Sequence, residues 1–281
     1  MAESDNDSVT QVTETSWLQR IGQSFVGVIV GFVLIIAACV LIFANEGHAV
    51  KVARSLSEGA GLVRTVSADK VDPANDGKLV HLIGMLSVAG PATDGDFAVK
   101  SAGVRLSRRV EMYQWVEEES SETEKKLGGG TTTTTTYKHT RQWVDHPVDS
   151  SKFKQRGNRT NPQMIWRNRS VVAPQPKLGA FAVPPDLLGT FGAEEKLPLG
   201  DEQVRAVQKR LNKPAQIVDG VLYVAQDPSQ PEVGDFRVTF SEVRLQTVSI
   251  VAAQAGPGLA AYRAHAGGTV ELADDGVPLT N

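Results

Sequence analysis

The sequence has one cysteine in 281 residues, Cys39, and it lies inside an apolar run. The polar part of the chain therefore has neither a disulfide framework nor a thiolate metal site. Histidine is scarce too. None of the five (His48, His81, His139, His146, His265) stands at the i, i+4 spacing that holds zinc on a helix. Neither charge sign dominates: the formal net charge is −3, which argues against nucleic acid as a partner, since phosphate binding needs a dense basic surface. Basic clusters (Arg105, Arg108 and Arg109; Lys152, Lys154, Arg156 and Arg159; Arg167 and Arg169) are offset by acidic runs. No G-x-S-x-G nucleophile elbow and no Walker A sequence occurs.

What the chain does have is 25 consecutive uncharged residues, Ile21 to Asn45. Helical stretches of about 20 residues cross the roughly 30 Å apolar core of a bilayer. Ser24 to Ala44 meets that length and carries 14 Phe, Val, Ile or Leu residues. At about −0.3 to −0.6 kcal/mol each, these favour insertion by several kcal/mol. A core helix of a soluble protein seldom runs this long without a polar break. A signal peptide has an apolar region of about 7 to 15 residues and then a small-x-small cleavage site; here the run ends in Asn45-Glu46-Gly47-His48. The reading is a retained membrane helix over residues 17–45. Gly27 and Gly31 form a G-x-x-x-G pair, with Ser24 and Ala38 at or near the same face. Small residues let helix backbones approach, so this face suits self-association or docking of further spans; such glycines also occur in membrane helices for no specific reason.

Residues 1–16 are polar and acidic and read as a disordered tail. Residues 46–62 keep a helical pattern, with Ala49, Val50, Ala53, Leu56 and Ala60 on one face and Lys51, Arg54 and Glu58 on another. This juxtamembrane helix either continues straight out of the bilayer or bends into the interface. Residues 63–281 read as a β-rich soluble domain, so the fold class expected is α+β, tethered by an amino-terminal transmembrane helix. Arg109 to Glu118 alternates, and Thr131 to Val144 is β-prone through six threonines, Tyr137 and Trp143. Together they predict a long hairpin at about 109–145, with Glu119 to Gly130 as a charged, mobile tip. Asp201 to Leu211 is the one clear helix of this region. Further strands are expected at Leu79–Val88, Val221–Val224, Phe236–Phe240, Val243–Ala253 and Thr269–Leu272.

Gly95-Asp96-Phe97-Ala98-Val99 is followed by Val104-Arg105-Leu106, and Gly234-Asp235-Phe236-Arg237-Val238 by Val243-Arg244-Leu245 at the same offset. Either two turn-plus-strand units converged by chance, or the domain holds a duplicated β-unit. Gly256-Pro257-Gly258-Leu259-Ala260-Ala261 fits G-x-G-x-x-A, with Asp274 and Asp275 beyond it. The interval before Gly267-Gly268 is too short for the helix a dinucleotide fold needs, so a glycine turn is expected and no cofactor. His139, Asp145, His146 and Asp149 form the densest polar group. They are weak catalytic or metal candidates beside the plainer reading of a solvated strand end; no metal is expected.

A set of segments resembles the transmembrane protein 43 (LUMA) family. It comprises Asn45-Glu46-Gly47 closing a first membrane helix, then Ala49, Lys51, Ser55-Leu56 and Glu58-Gly59. It continues with Val110-Glu111-Met112-Tyr113-Gln114-Trp115-Val116-Glu117, Asn161-Pro162, and Pro231-Glu232-Val233-Gly234-Asp235 leading into Arg237-Val238. The resemblance implies one amino-terminal span, a large hydrophilic domain and later carboxy-terminal spans, which this sequence, stopping at Asn281, lacks. In animals the resemblance implies the endoplasmic reticulum and inner nuclear membrane, a domain facing the lumen, and association with itself, emerin and lamins. The Ala-, Val- and Gly-rich composition suggests instead a bacterial source and the inner, plasma membrane. Arg20 before the span and Lys51, Arg54 and Arg64 after it weakly place the domain in the cytoplasm by the positive-inside rule. The resemblance implies the extracytoplasmic or luminal side, which is the expectation adopted.

The functional expectation is a non-enzymatic scaffold anchored in the lipid bilayer. It forms homo-oligomers, or organises other membrane proteins or the missing carboxy-terminal spans. The alternative is a membrane-tethered hydrolase or metal-dependent enzyme, acting through the His139 to Asp149 region on lipid or envelope substrates.

Overall fold

The computed structural model describes residues 8–127, 129–154, 156–189, 191–265, 269–270 and 272–274, without the side chains of 17, 18, 20, 21, 23, 24 and 272–274. Asp275 and Gly267-Gly268 thus lie outside the described residues, as does the side chain of Ser24. The chain forms two compact units, Met1–Asn45 with Glu111–Ile165 and Gln230–Asp235, and Glu46–Val110 with Trp166–Ser229 and Phe236–Asn281.

The first unit carries the apolar run and the hairpin. Trp17–Leu62 is one helix of 46 residues, about 69 Å at 1.5 Å per residue. From Phe25 on it is apolar enough to cross a membrane, and none of its window of highest hydropathy is buried among the described residues. The helix does not close at Asn45-Glu46-Gly47. Charge ends the apolar run there, but no residue of helix-breaking geometry follows, so the backbone continues to Leu62. The hairpin pairs Arg105–Lys125 with Thr131–Val144, in register from Met112↔Val144 to Lys125↔Thr131. The strands therefore run through Glu119–Lys125, where the sequence predicts a mobile tip. Threonine pairs across the ladder sustain them, with Ser121 Oγ to Thr135 Oγ1 and Thr123 Oγ1 to Thr133 Oγ1 both at 3.0 Å. A second correction concerns the expected disordered tail. Ser8–Thr15 is a strand, antiparallel to Thr131–Lys138 from Ser8↔Lys138 to Thr15↔Thr131. Its Thr, Val and Gln residues suit a strand once a partner edge is available.

The second unit holds the main core. Its sheet pairs Leu79–Ser87 with Thr247–Ala255, from Leu79↔Ala253 to Met85↔Thr247. Val80, Leu82 and Leu86 on one strand, and Val248, Ile250 and Ala252 on the other, face inward at 1% exposure or less. Leu178, Phe181, Leu188, Val104 and Val243 complete the cluster. Burying an aliphatic side chain contributes about 1.5–3 kcal/mol, so this cluster is the unit's chief source of stability. Gly84 interrupts the apolar run for a packing reason: a Cβ there would stand 3.2 Å from Leu178 Cδ1 and 3.3 Å from Ala68 Cβ. The amphipathic helix Asp201–Leu211 occurs where the sequence places it. At the carboxy-terminal end of the long helix, Ser55 and Gly59 are buried, the latter against Leu79 and Val270.

The two similar segments differ in conformation. Asp94 to Val99 is the turn between Ala92–Asp94 and Val99–Ser101, with Ala98 at φ 54°, whereas Phe236 opens the strand Phe236–Val243. They are not a repeated unit, yet both phenylalanines pack on Trp166, at ring-centroid distances of 4.6 and 5.2 Å. Thr247–Ala255 and Gly258–Ala260 are antiparallel neighbours, so the G-x-G-x-x-A match is a turn between strands.

Candidate interaction site at the base of the hairpin

Three of the segments that resemble a known family meet in the first unit. Alternation along the strand sends Met112 and Gln114 to one face and Tyr113 and Trp115 to the other. Met112 and Gln114 are fully buried. The Gln114 amide donates to the carbonyl of His146 at 2.9 Å and accepts from the N–H of Val148 at 3.0 Å, fixing the chain after the hairpin. Tyr113 donates its N–H to the Asp235 carbonyl at 2.9 Å and accepts from the Gly234 N–H at 2.9 Å. The Pro231–Asp235 segment thereby docks on the strand. It is itself a closed turn: Glu232 N–H donates to Asp235 Oδ2 at 2.8 Å, and Asp235 N–H to the Glu232 carbonyl at 3.0 Å. Gly234 is required here, with φ at 100° and a Cβ position only 3.0 Å from Pro162.

Asn161 completes the node. Its side chain accepts from the Trp115 N–H at 2.8 Å and donates to the carbonyls of Trp115 (2.9 Å) and Val148 (3.2 Å). On the aromatic face Tyr113 packs on Trp143 at 5.3 Å, while the guanidinium groups of Arg141 and Arg159 stand 5.2 and 5.8 Å from the Trp115 ring. Such cation–π contacts are worth about 0.5–1 kcal/mol at exposed sites. The result is a rigid base with an aromatic and cationic side, suited to recognition.

The weak catalytic candidates take separate structural roles. The His139 side chain is wholly buried, 2.9 Å from Glu117 Oε2 and edge-on to Phe153 at 5.7 Å. Glu117 also accepts from the Lys154 N–H at 2.6 Å, so the pair tethers the loop after the hairpin. His146 is 70% exposed, beside Asp145 at 3.1 Å. Asp149 caps the short helix Ser150–Lys152, and hydrogen bonds from the Ser151 hydroxyl and N–H hold its carboxyl below the usual range. Among the described residues no group of three or more His, Cys, Asp or Glu is placed to hold a metal ion. A cavity of about 260 Å³ in the second unit is lined by Leu62, Arg64, Gly77, Lys78, Leu79 and Tyr262, none of them a candidate.

Sequence reasoning also missed a polar contact in the second unit. His81 Nε2 lies 2.8 Å from Ser249 Oγ, and its Nδ1 lies 3.2 Å from Thr65 Oγ1. These residues come from three strands, and spacing carries no sign of them. Ser249 sits in regular ladders with Ile83 and Asp274, away from any sharp turn that would present it as a nucleophile. In the membrane segment Gly27 and Gly31 have open space where a Cβ would stand, and Ala38 is exposed. Asn45, Glu46 and Gly47 are exposed on the helix as well.

Comparison with known proteins bears on this node. Residues 112–279, which include all but the start of it, match the family profile described as Transmembrane protein 43. The chain belongs to the transmembrane protein 43 family. It is 32% identical to the mouse transmembrane protein 43 over 285 residues, covering 95% of this chain and 68% of the mouse protein. The human protein is 31% identical, with 94% and 67% covered, and the Drosophila melanogaster homolog 31%, with 83% and 61% covered. No solved structure matches. With its exposed apolar helix, this transmembrane protein 43 family member is a membrane protein.

Proposed function

We propose that the chain is a non-enzymatic scaffold, anchored by the helix Trp17–Leu62, that self-associates or organises other membrane proteins at the bilayer surface. The observation that carries this is the use made of the family segments. Glu111–Trp115, Asn161–Pro162 and Pro231–Asp235 fix backbone to backbone at the base of a long hairpin, and leave an aromatic and cationic side beside it. A hairpin held rigid at its root is a presenting device. The open space at Gly27 and Gly31, where a Cβ would meet nothing, supports a second contact inside the bilayer.

The test is lysine-directed cross-linking of the full chain in native membranes, followed by mass spectrometry. A scaffold gives cross-linked species larger than one chain, with the same neighbours across preparations. Monomer alone, together with ester or amide hydrolysis abolished by His139→Ala or His146→Ala, overturns the proposal in favour of a tethered hydrolase. We further propose that the hairpin lies on the extracytoplasmic or luminal side. Leu127→Cys at the exposed tip, in a Cys39→Ser background, should react with an impermeant maleimide in intact cells expressing a plasma-membrane protein. Reaction once the plasma membrane alone is permeabilised places the hairpin in the cytoplasm, whereas reaction only after all membranes are opened places it in a lumen.

A further inference from the structure

The hairpin strand Thr131–Val144 has two edges. One pairs with Met112–Lys125; the other is covered over Thr131–Lys138 by Ser8–Thr15. Only Ser16 separates that covering strand from the long helix. When the apolar run of the helix crosses a bilayer, Ser8–Thr15 is carried to one side and everything after residue 45, the hairpin included, to the other. Backbone hydrogen bonds cannot reach across a core of about 30 Å. Covering of the edge by the chain's own strand and a membrane-crossing helix therefore exclude each other. In the inserted protein, Thr131–Lys138 presents a free edge.

Over its threonine run that edge lacks the usual protections, and its one charge, Lys138, stands at the end. Thr131 to Thr136 contains no charge, proline or glycine, and its ladder to the other hairpin strand runs without a bulge. Acidic residues (Glu117, Glu118, Glu119, Glu122, Glu124) sit on the inner strand, away from the edge. What the edge accepts is threonine: Thr131, Thr133 and Thr136 stand opposite Thr15, Thr13 and Thr10. The fit of the chain's own strand is imperfect, because Thr132 Oγ1, opposite Glu14, is buried without a hydrogen-bond partner. All copies insert with one orientation, so their free edges share a plane at raised local concentration.

We propose that in the membrane the edge Thr131–Tyr137 pairs with the same edge of a second copy. The two strands run antiparallel about a two-fold axis, so two hairpins join as one four-stranded sheet. This inference rests on the scaffold reading and names its contact surface.

The experiment uses the full chain in native membranes with Cys39→Ser and Thr133→Cys, treated with a short bis-maleimide. The expected result is a covalent dimer. Its yield should fall about tenfold when Thr132→Lys and Thr134→Lys are added, because like charges then face each other across the seam. The lysines spare the hairpin and its self-covered form, since Glu124 and Glu122 stand opposite on the inner strand and Glu14 opposite residue 132. A second variant, Thr13→Cys with Thr133→Cys, reads self-covering as an internal disulfide. Internal disulfide without dimer overturns the proposal, and so does the absence of both. Lysine-directed cross-links that persist while the bis-maleimide dimer is absent leave the scaffold standing and remove only the hairpin edge. Loss of both kinds of cross-link removes both.

Discussion

Arg108→Met is the most severe single test of how the second unit is held. Arg108 and Asp94 are 6% and 2% exposed at their side chains, with Nη1 2.7 Å from Asp94 Oδ2. The same nitrogen lies 3.0 Å from Asp96 Oδ2, and Nε donates to the Arg167 carbonyl at 3.1 Å. Methionine preserves much of the aliphatic stem but removes the guanidinium, whose Cζ lies 5.2 Å from the Phe97 ring centroid. Asp94 would keep the two amide donors at Oδ1, from Asp96 at 3.0 Å and Phe97 at 3.3 Å, and lose its charge partner at Oδ2. Removing one member of a buried pair costs about 3–5 kcal/mol. In a domain of about 150–250 residues each kcal/mol shifts Tm by about 2–4 °C, so the expected fall is about 6–20 °C. Thermal unfolding of the full chain in detergent, followed by circular dichroism, measures it. Arg244→Ala is the control, because its bridge to Glu195 is exposed on both sides and worth about 0–1 kcal/mol. Adding Asp94→Asn to Arg108→Met should recover part of the loss, since the amide oxygen still closes the turn. Equal Tm values for Arg108→Met and Arg244→Ala would refute the reasoning.

Gly234→Ala should destabilise the hairpin base by about 1–3 kcal/mol, through the positive φ and the clash with Pro162; chemical denaturation of the purified chain reads it. Gly27→Leu with Gly31→Leu should lower the dimer fraction in mild detergent if the helix face packs, and unchanged cross-linking removes that seam. Acid should weaken the second unit. Burial raises the Asp96 carboxyl, but hydrogen bonds and charge from Arg108 and Arg210 outweigh it and hold the group below its ordinary 3.8. Glu194, bound by Ser241 and Ser107 and then Arg105, is held below 4.5. Both shifts are downward, so their stabilisation is present above the ordinary values and is lost as pH falls through the lowered ones. Tm measured from pH 7 to pH 3 should drop mainly below about pH 4.5, and a flat profile there contradicts the assignment.

Local signals made much of this legible. Asp201–Leu211 is found where its apolar stripe and acidic first turn put it, and the hairpin follows from β-branched and aromatic residues on either side of a glycine run. The tip differs from expectation because Glu119–Lys125 looks like a solvated loop on its own. Its strand character comes from threonine partners on the other side of the turn, which residue-by-residue propensity does not see. The strand Ser8–Thr15 was invisible for the same reason, its partner lying more than a hundred residues away. At the hairpin base, Trp115 and Asn161 are recognisable as part of a family pattern. Their contact, three hydrogen bonds from one side chain to backbone, is a tertiary fact.

The family segments therefore tell more about geometry than about chemistry. Gln114, Asn161 and the Pro231–Asp235 turn direct their hydrogen bonds at main-chain groups, which substrates do not offer in that arrangement. A catalytic acid or base must instead stand within hydrogen-bond reach of the proton it moves. The aromatic side of the base is built the other way. Trp115 between Arg141 and Arg159 carries cations on a half-buried ring, and Arg141 is itself exposed. Substituting Arg141 by Gln should then lower the unfolding free energy by no more than about 1 kcal/mol, while lowering lysine-directed cross-links to neighbouring proteins. A loss of about 3 kcal/mol, at the upper end of that expected for Gly234→Ala, would instead assign Arg141 to the structural node.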